Sequence, residues 1–68
     1  LSDPLKWKPY VVEMRLRWWR AYESCNARVS QGVHAENEAH AVARATDRLR
    51  EWFRGVIEGA EVKEGYLA

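Results

Sequence analysis

VEMRLRWW, residues 12–19, alternates apolar and charged side chains strictly as far as Trp18, then adds a second tryptophan, Trp19. A period of two belongs to a β-strand buried on one side, because successive side chains point to opposite faces. Val12, Met14, Leu16 and Trp18 then form a core face. Glu13, Arg15, Arg17 and Trp19 form the other face, and whether anything covers it decides the architecture.

The rest of the chain supplies few partners. Its 68 residues allow one small domain, close to the size at which a single core needs support. The single cysteine, Cys25, excludes an intramolecular disulfide, so the core must rest on large side chains, and there are four tryptophans. Before the strand, LSDPLKWKP (residues 1–9) holds both prolines and no periodicity, and reads as an N-terminal arm. The folded domain is expected over residues 10–68.

After the strand, RAYESCN (residues 20–26) is the expected turn region. Ala27, Val29 and Val33 then alternate in a weaker strand, in which Gly32 marks a bulge or the strand end. A connection this short makes the two strands an antiparallel hairpin. Asn37 is a good helix N-cap, with Glu38 in the first turn where the macrodipole favours a negative charge. Val42, Ala45, Leu49, Trp52, Phe53 and Val56 recur at steps of three and four, which predicts one helix of about 20 residues stopped at Gly59. Such a helix, about 30 Å long, would match the first strand from end to end. AEVKEGYLA (residues 60–68) supplies a short third strand through Val62.

The predicted fold is α+β: a two-layer ββαβ domain with sheet order 2-1-3 and one long helix on one face. The richest apolar strand sits in the middle, and a right-handed crossover returns the third strand parallel to the second. One helix cannot cover two faces, so Glu13, Arg15, Arg17 and Trp19 are expected on an open sheet surface.

Composition excludes several function classes. No apolar run approaches the roughly 18 residues of a membrane span, and no signal peptide is visible, so a cytoplasmic, reducing compartment is expected. No phosphate-binding loop, nucleophile elbow, paired-carboxylate or zinc-finger spacing occurs, so the protein is expected to be no enzyme and to hold no cofactor. His34, Glu36, Glu38 and His40 fall at alternate positions across a strand-to-helix junction, where metal ligands do not converge, and no metal site is expected. Cys25 has only Arg20 and Arg28 nearby to activate it and no base, so it reads as an ordinary turn thiol. On the helix, Asp47/Arg50, Glu51/Arg54 and Arg54/Glu58 sit at pair spacings, as on a solvated face.

Net charge is +1, with six basic residues against three acidic in residues 1–34 and five against seven in residues 35–68. That asymmetry is too mild to mark a nucleic-acid protein. Partner binding is therefore assigned to the open face. Arg15, Arg17, Trp19 and Glu13 carry it, with Arg20 and Arg28 in support, because an indole among guanidiniums is the composition enriched in binding hot spots. Lys6, Trp7 and Lys8 add a basic-aromatic cluster in the arm. The acidic alternative is Glu36, Glu38, Glu58, Glu61 and Glu64.

GVHAENEAHAVARATDRLREW (residues 32–52), followed by AEVKEGYL, resembles small bacteriophage-encoded inhibitors: a strand ends in a V-x-A-E-N type turn, a helix follows, and a short strand closes the chain. Ala35, Glu36, Ala39 and the helix alanines carry the likeness. It is to anti-CRISPR proteins and to an inhibitor of bacterial RNA polymerase, each with one helix on a small sheet. The resemblance implies a non-enzymatic protein that blocks a host CRISPR effector or RNA polymerase by occupying its surface. VSQGVHAENEAHAVARATDRLREWF (residues 29–53) is similar to the segment of HicB-type antitoxins in which S-Q-G leads into a helix ending near a tryptophan, implying an antitoxin-like homodimer. A nucleic-acid-binding module using the same open face is the rival expectation.

Overall fold

The computed structural model describes residues 4–67; the first three residues of the arm and Ala68 lie outside the described residues. After a 3-10 turn at Pro4–Lys6 come β1 (Lys8–Arg20), β2 (Glu23–Ala35), α1 (Glu38–Leu49) and β3 (Val56–Glu64). The three strands form one antiparallel sheet in the order β2-β1-β3, as the apolar pattern of β1 requires. The architecture is the predicted two-layer α+β fold.

The alternation within residues 12–19 holds. Tyr10, Val12, Met14 and Leu16 are buried beneath α1, while Glu13, Arg15, Arg17 and Trp19 face away. Val33 and Ala35 of β2, Ala41, Ala45 and Leu49 of α1, and Phe53 of the following loop complete the core. Trp18, Val29, Val42, Ile57 and Val62 pack around its margin.

Both hairpin strands are longer than expected, 13 residues each, because the connection is only Ala21-Tyr22. Ala21 takes the positive φ, +50°, that such a turn demands. Gly32 is no bulge: it pairs in register with Val11. The bulge lies in β3 instead, where Arg15 pairs Gly59 and Leu16 pairs Ile57, leaving Glu58 as the extra residue.

The expected long helix is corrected. Its start is the predicted one, with the Asn37 side chain accepting from the His40 N–H at 2.8 Å. Its end comes at Leu49, after 12 residues, so α1 spans about 18 Å against about 43 Å for the hairpin strands. The chain must turn early to deliver β3 to the sheet. Arginine side chains satisfy the carbonyls exposed by that turn: Arg50 donates to Phe53 O at 3.4 Å and Gly55 O at 2.7 Å, and Arg54 donates to Arg50 O. Trp52 consequently lies 65% exposed, and Val56 belongs to β3. The pairs Asp47/Arg50, Glu51/Arg54 and Arg54/Glu58 do not close; among the described residues the ion pairs are Lys8–Glu64, Arg17–Glu58 and Arg28–Glu13.

The opposite sheet face is not wholly bare. Beyond Glu64 the chain turns at Gly65, whose φ of +134° suits glycine, and its N–H donates to Pro9 O at 2.9 Å. Tyr66 and Leu67 then cross toward β2, with the Tyr66 ring 6.0 Å from that of His34 and Leu67 beside Gly32. The end of the open face remote from the hairpin turn is thus covered by the C-terminal tail.

Candidate interaction surface

The uncovered part of the open face begins at Glu13 and runs to the hairpin turn. Strand register decides which side chains meet there. Arg15 stands directly opposite Arg28 on β2 and Gly59 on β3; Arg17 stands opposite Asn26 and Val56; Glu13 stands opposite Ser30 and Glu61; Trp19 stands opposite Ser24. Two like-charged pairs, Arg15/Arg28 and Glu13/Glu61, are therefore placed side by side, an unfavourable arrangement unless neighbours offset it.

The offset is diagonal. Arg28 Nη1 lies 3.9 Å from Glu13 Oε1, bridging the two like-charged rows. Arg17 Nη2 lies 3.3 Å from Glu58 Oε2, which the β3 bulge brings onto this face, and Arg17 Nε donates to Asn26 Oδ1 at 3.3 Å. Arg15 has no carboxylate in the described ion pairs; its guanidinium rests over Gly59, where a Cβ would lie 3.2 Å from Cζ. These pairs are solvent-exposed, so each contributes about 0.2–1 kcal/mol and chiefly fixes side-chain direction. The face is a lattice of both signs, not a uniformly basic patch.

Trp19 lies beyond the last residue of β3 that pairs with β1, so its indole has β2 on one side only and is 61% exposed. It forms the rim of the arginine row. Glu13, Arg15, Arg17, Trp19 and Arg28 are thus brought together as the sequence predicted. Arg20 is not. It occupies an even position, on the side of the hairpin that α1 packs against, and lines a depression with Tyr22 and Cys25.

The arm cluster is also elsewhere. Trp7 packs on α1, its ring edge-on to His40 at 4.9 Å and 4.8 Å from the Arg44 guanidinium carbon. His40 Nδ1 accepts the Glu36 N–H at 3.1 Å. Among the described residues, no three His, Cys, Asp or Glu side chains are gathered as metal ligands. No helix among them is long and apolar enough to cross a membrane.

Sequence reasoning missed a second surface. Because α1 ends early, the helix-side face of the hairpin continues past its cover and leaves an apolar hollow of about 440 Å³ lined by Leu16, Trp18, Ala27, Val29, Trp52 and Phe53. Trp18 and Trp52 each meet Phe53 edge-on, at 6.0 and 5.9 Å between ring centroids. No residue spacing signals this hollow, because it depends on where α1 stops.

Compared with known protein families, curated proteins and solved structures, the chain finds no match.

Proposed function

We propose that the protein acts by binding and not by catalysis: it is a non-enzymatic inhibitor of the phage type that occupies a protein surface of a host nucleic-acid machine, a CRISPR effector or RNA polymerase, in the cytoplasm. The observation that carries this reading is the accessible row Arg15, Arg17 and Trp19, flanked by Arg28 and Glu13. The Arg17 guanidinium is held in direction by Glu58 and Asn26 and that of Arg28 by Glu13, and the Trp19 indole stands free at the rim. Pre-positioned arginine beside exposed tryptophan supports a hot spot for a protein partner. Interleaved carboxylates favour a protein surface of mixed charge over a bare polyanion. The resemblance in pattern, from about Tyr10 to Leu67, supplies the class of target.

The test has three arms. Target-DNA cleavage by a CRISPR effector and transcription by bacterial RNA polymerase are each measured with excess protein, and a short DNA and RNA are titrated at low salt. Inhibition of one enzyme, lost in the Arg15→Glu/Arg17→Glu double variant, is the expected result. Full activity of both enzymes removes the reading. Submicromolar nucleic-acid binding that weakens steeply with salt replaces it with the nucleic-acid module.

A further inference from the structure

The two sheet edges are unlike. β3 is nine residues long, bulged, and carries Glu61, Lys63 and Glu64, features that discourage another strand from adding. β2 is 13 residues long with continuous register, and has neither lysine nor proline.

The hydrogen-bond pattern fixes which β2 groups face outward. Pro9 O accepts from Gly65 N, so the odd-numbered residues of β1 turn their backbone groups toward β3 and the even-numbered ones toward β2. Through the register, odd-numbered residues of β2 bond to β1, and even-numbered residues present N–H and C=O to the free edge. Gly32 follows this rule, since its outward carbonyl accepts from Arg48 Nη1 at 3.3 Å. Arg48 closes the edge at Gly32 and the turn closes it at Tyr22. Between them Ser24, Asn26, Arg28 and Ser30 expose unbonded backbone groups. The midpoint of that segment is Ala27, and Ala27 and Val29 also form the edge wall of the apolar hollow.

We infer that a second copy of this chain docks on this edge, β2 against β2, antiparallel about a two-fold axis at Ala27. The commitment to a second copy rests on self-complementarity. Two-fold pairing about Ala27 sets Ser24 against Ser30 and Asn26 against Arg28, so about eight main-chain hydrogen bonds form and the one charged residue of the segment avoids its own copy. Both helices fall on the same side of the resulting six-stranded sheet. The two hollows merge across the axis, and Trp52, at the rim beside Val29, comes over the second copy's Cys25. A register centred on Arg28 opposes that residue to itself, one centred on Val29 or beyond runs into the Arg48–Gly32 contact, and one centred on Asn26 or earlier is shortened by the turn and forms fewer main-chain hydrogen bonds. The arginine face stays uncovered, so this assembly and the proposed inhibitory activity stand or fall separately.

The experiment combines mass and cross-linking on the full chain. Light scattering should give twice the monomer mass. Ala27 pairs with itself at a non-hydrogen-bonded position, where Cα atoms are about 4.5 Å apart, within disulfide range. Ala27→Cys in a Cys25→Ser background should therefore oxidise to a single covalent dimer. Val29→Cys with Cys25 retained should form two bridges per dimer, whereas Cys25 alone, displaced four positions from its copy, should form none. Ser30→Pro removes an outward N–H that the monomer does not use, and Ala27→Lys sets two ammonium groups at the axis. Each should weaken association at least tenfold while leaving the circular dichroism of the monomer unchanged. A monomer at every concentration overturns the inference, as does a dimer that fails to link through position 27 or that survives Ser30→Pro at full strength.

Discussion

The guanidinium of Arg15 occupies the space above Gly59 that a side chain there would fill. Gly55 is crowded differently: a Cβ at that position would collide with the Phe53 ring and with the backbone carbonyl of Arg17. An arginine tip can swing aside, but a packed ring and a strand backbone cannot. Gly59→Ala should therefore change stability by no more than about 0.5 kcal/mol, and Gly55→Ala should cost about 1–3 kcal/mol. Urea unfolding of the two variants checks this, and equal losses would contradict it.

The hairpin turn carries a correctable strain. Ala21 holds φ at +50°, a region that L-residues with a Cβ enter at a cost. Ala21→Gly should raise stability by about 0.5–1 kcal/mol, offset in part by the greater freedom of glycine in the unfolded chain. A thermal midpoint unchanged or lowered would show that the turn is not strained in solution.

Leu49 and Trp52 share one apolar stripe by spacing but part company in the structure. Leu49 is fully buried beneath the sheet, whereas Trp52 is mostly exposed beyond the helix end. Leu49→Ala should cost about 2–5 kcal/mol, enough to unfold much of a domain this small. Trp52→Ala should cost only about 0.5–1.5 kcal/mol, the value of its edge-on contact with Phe53. Denaturation followed by far-ultraviolet circular dichroism distinguishes the two.

The exposure of Trp52 shows where sequence periodicity stops being informative. The buried side of β1 was legible because each of its even positions from Tyr10 to Trp18 is apolar, and no helical spacing fits them. The helix end was not, because Trp52, Phe53 and Val56 continue the three-and-four spacing past the real stop. No glycine or proline marks that stop; the backbone N–H groups of Glu51, Trp52 and Phe53 take the last helix carbonyls, and the Arg50 and Arg54 side chains bond carbonyls of the turn that follows. The Ala21-Tyr22 turn is equally silent, lacking the glycine or asparagine that would announce it. Of the open-face row, the placement of Arg15, Arg17 and Trp19 follows from parity alone. Their link to Glu58 required the bulge in β3, which no residue spacing reveals.

At the helix start the local signal and the structure agree. Asn37 has extended backbone angles and its side chain receives the His40 N–H. Asn37→Ala should cost about 1 kcal/mol and Asn37→Ser nearly nothing, since serine can accept the same bond. Losses of equal size in both variants would mean that position 37 matters for some reason other than the cap.

Arg15 and Arg20 offer the sharpest functional contrast, because they share one strand and one charge but lie on opposite faces. If the open face binds the target, reversing Arg15 removes a contact and repels any carboxylate the partner presents there. A hot-spot loss of about 2 kcal/mol corresponds to about a thirtyfold rise in the half-inhibitory concentration. Arg20→Glu makes the same charge change beside Cys25 and Tyr22, away from the row, and should leave inhibition within about threefold, or roughly 0.65 kcal/mol, of the parent. Both substitutions lie at exposed strand positions, so folding should be conserved, which circular dichroism verifies before inhibition is compared. Equal effects of the two reversals would reduce the surface to a matter of net charge, and a larger effect at Arg20 would move the footprint to the hairpin tip.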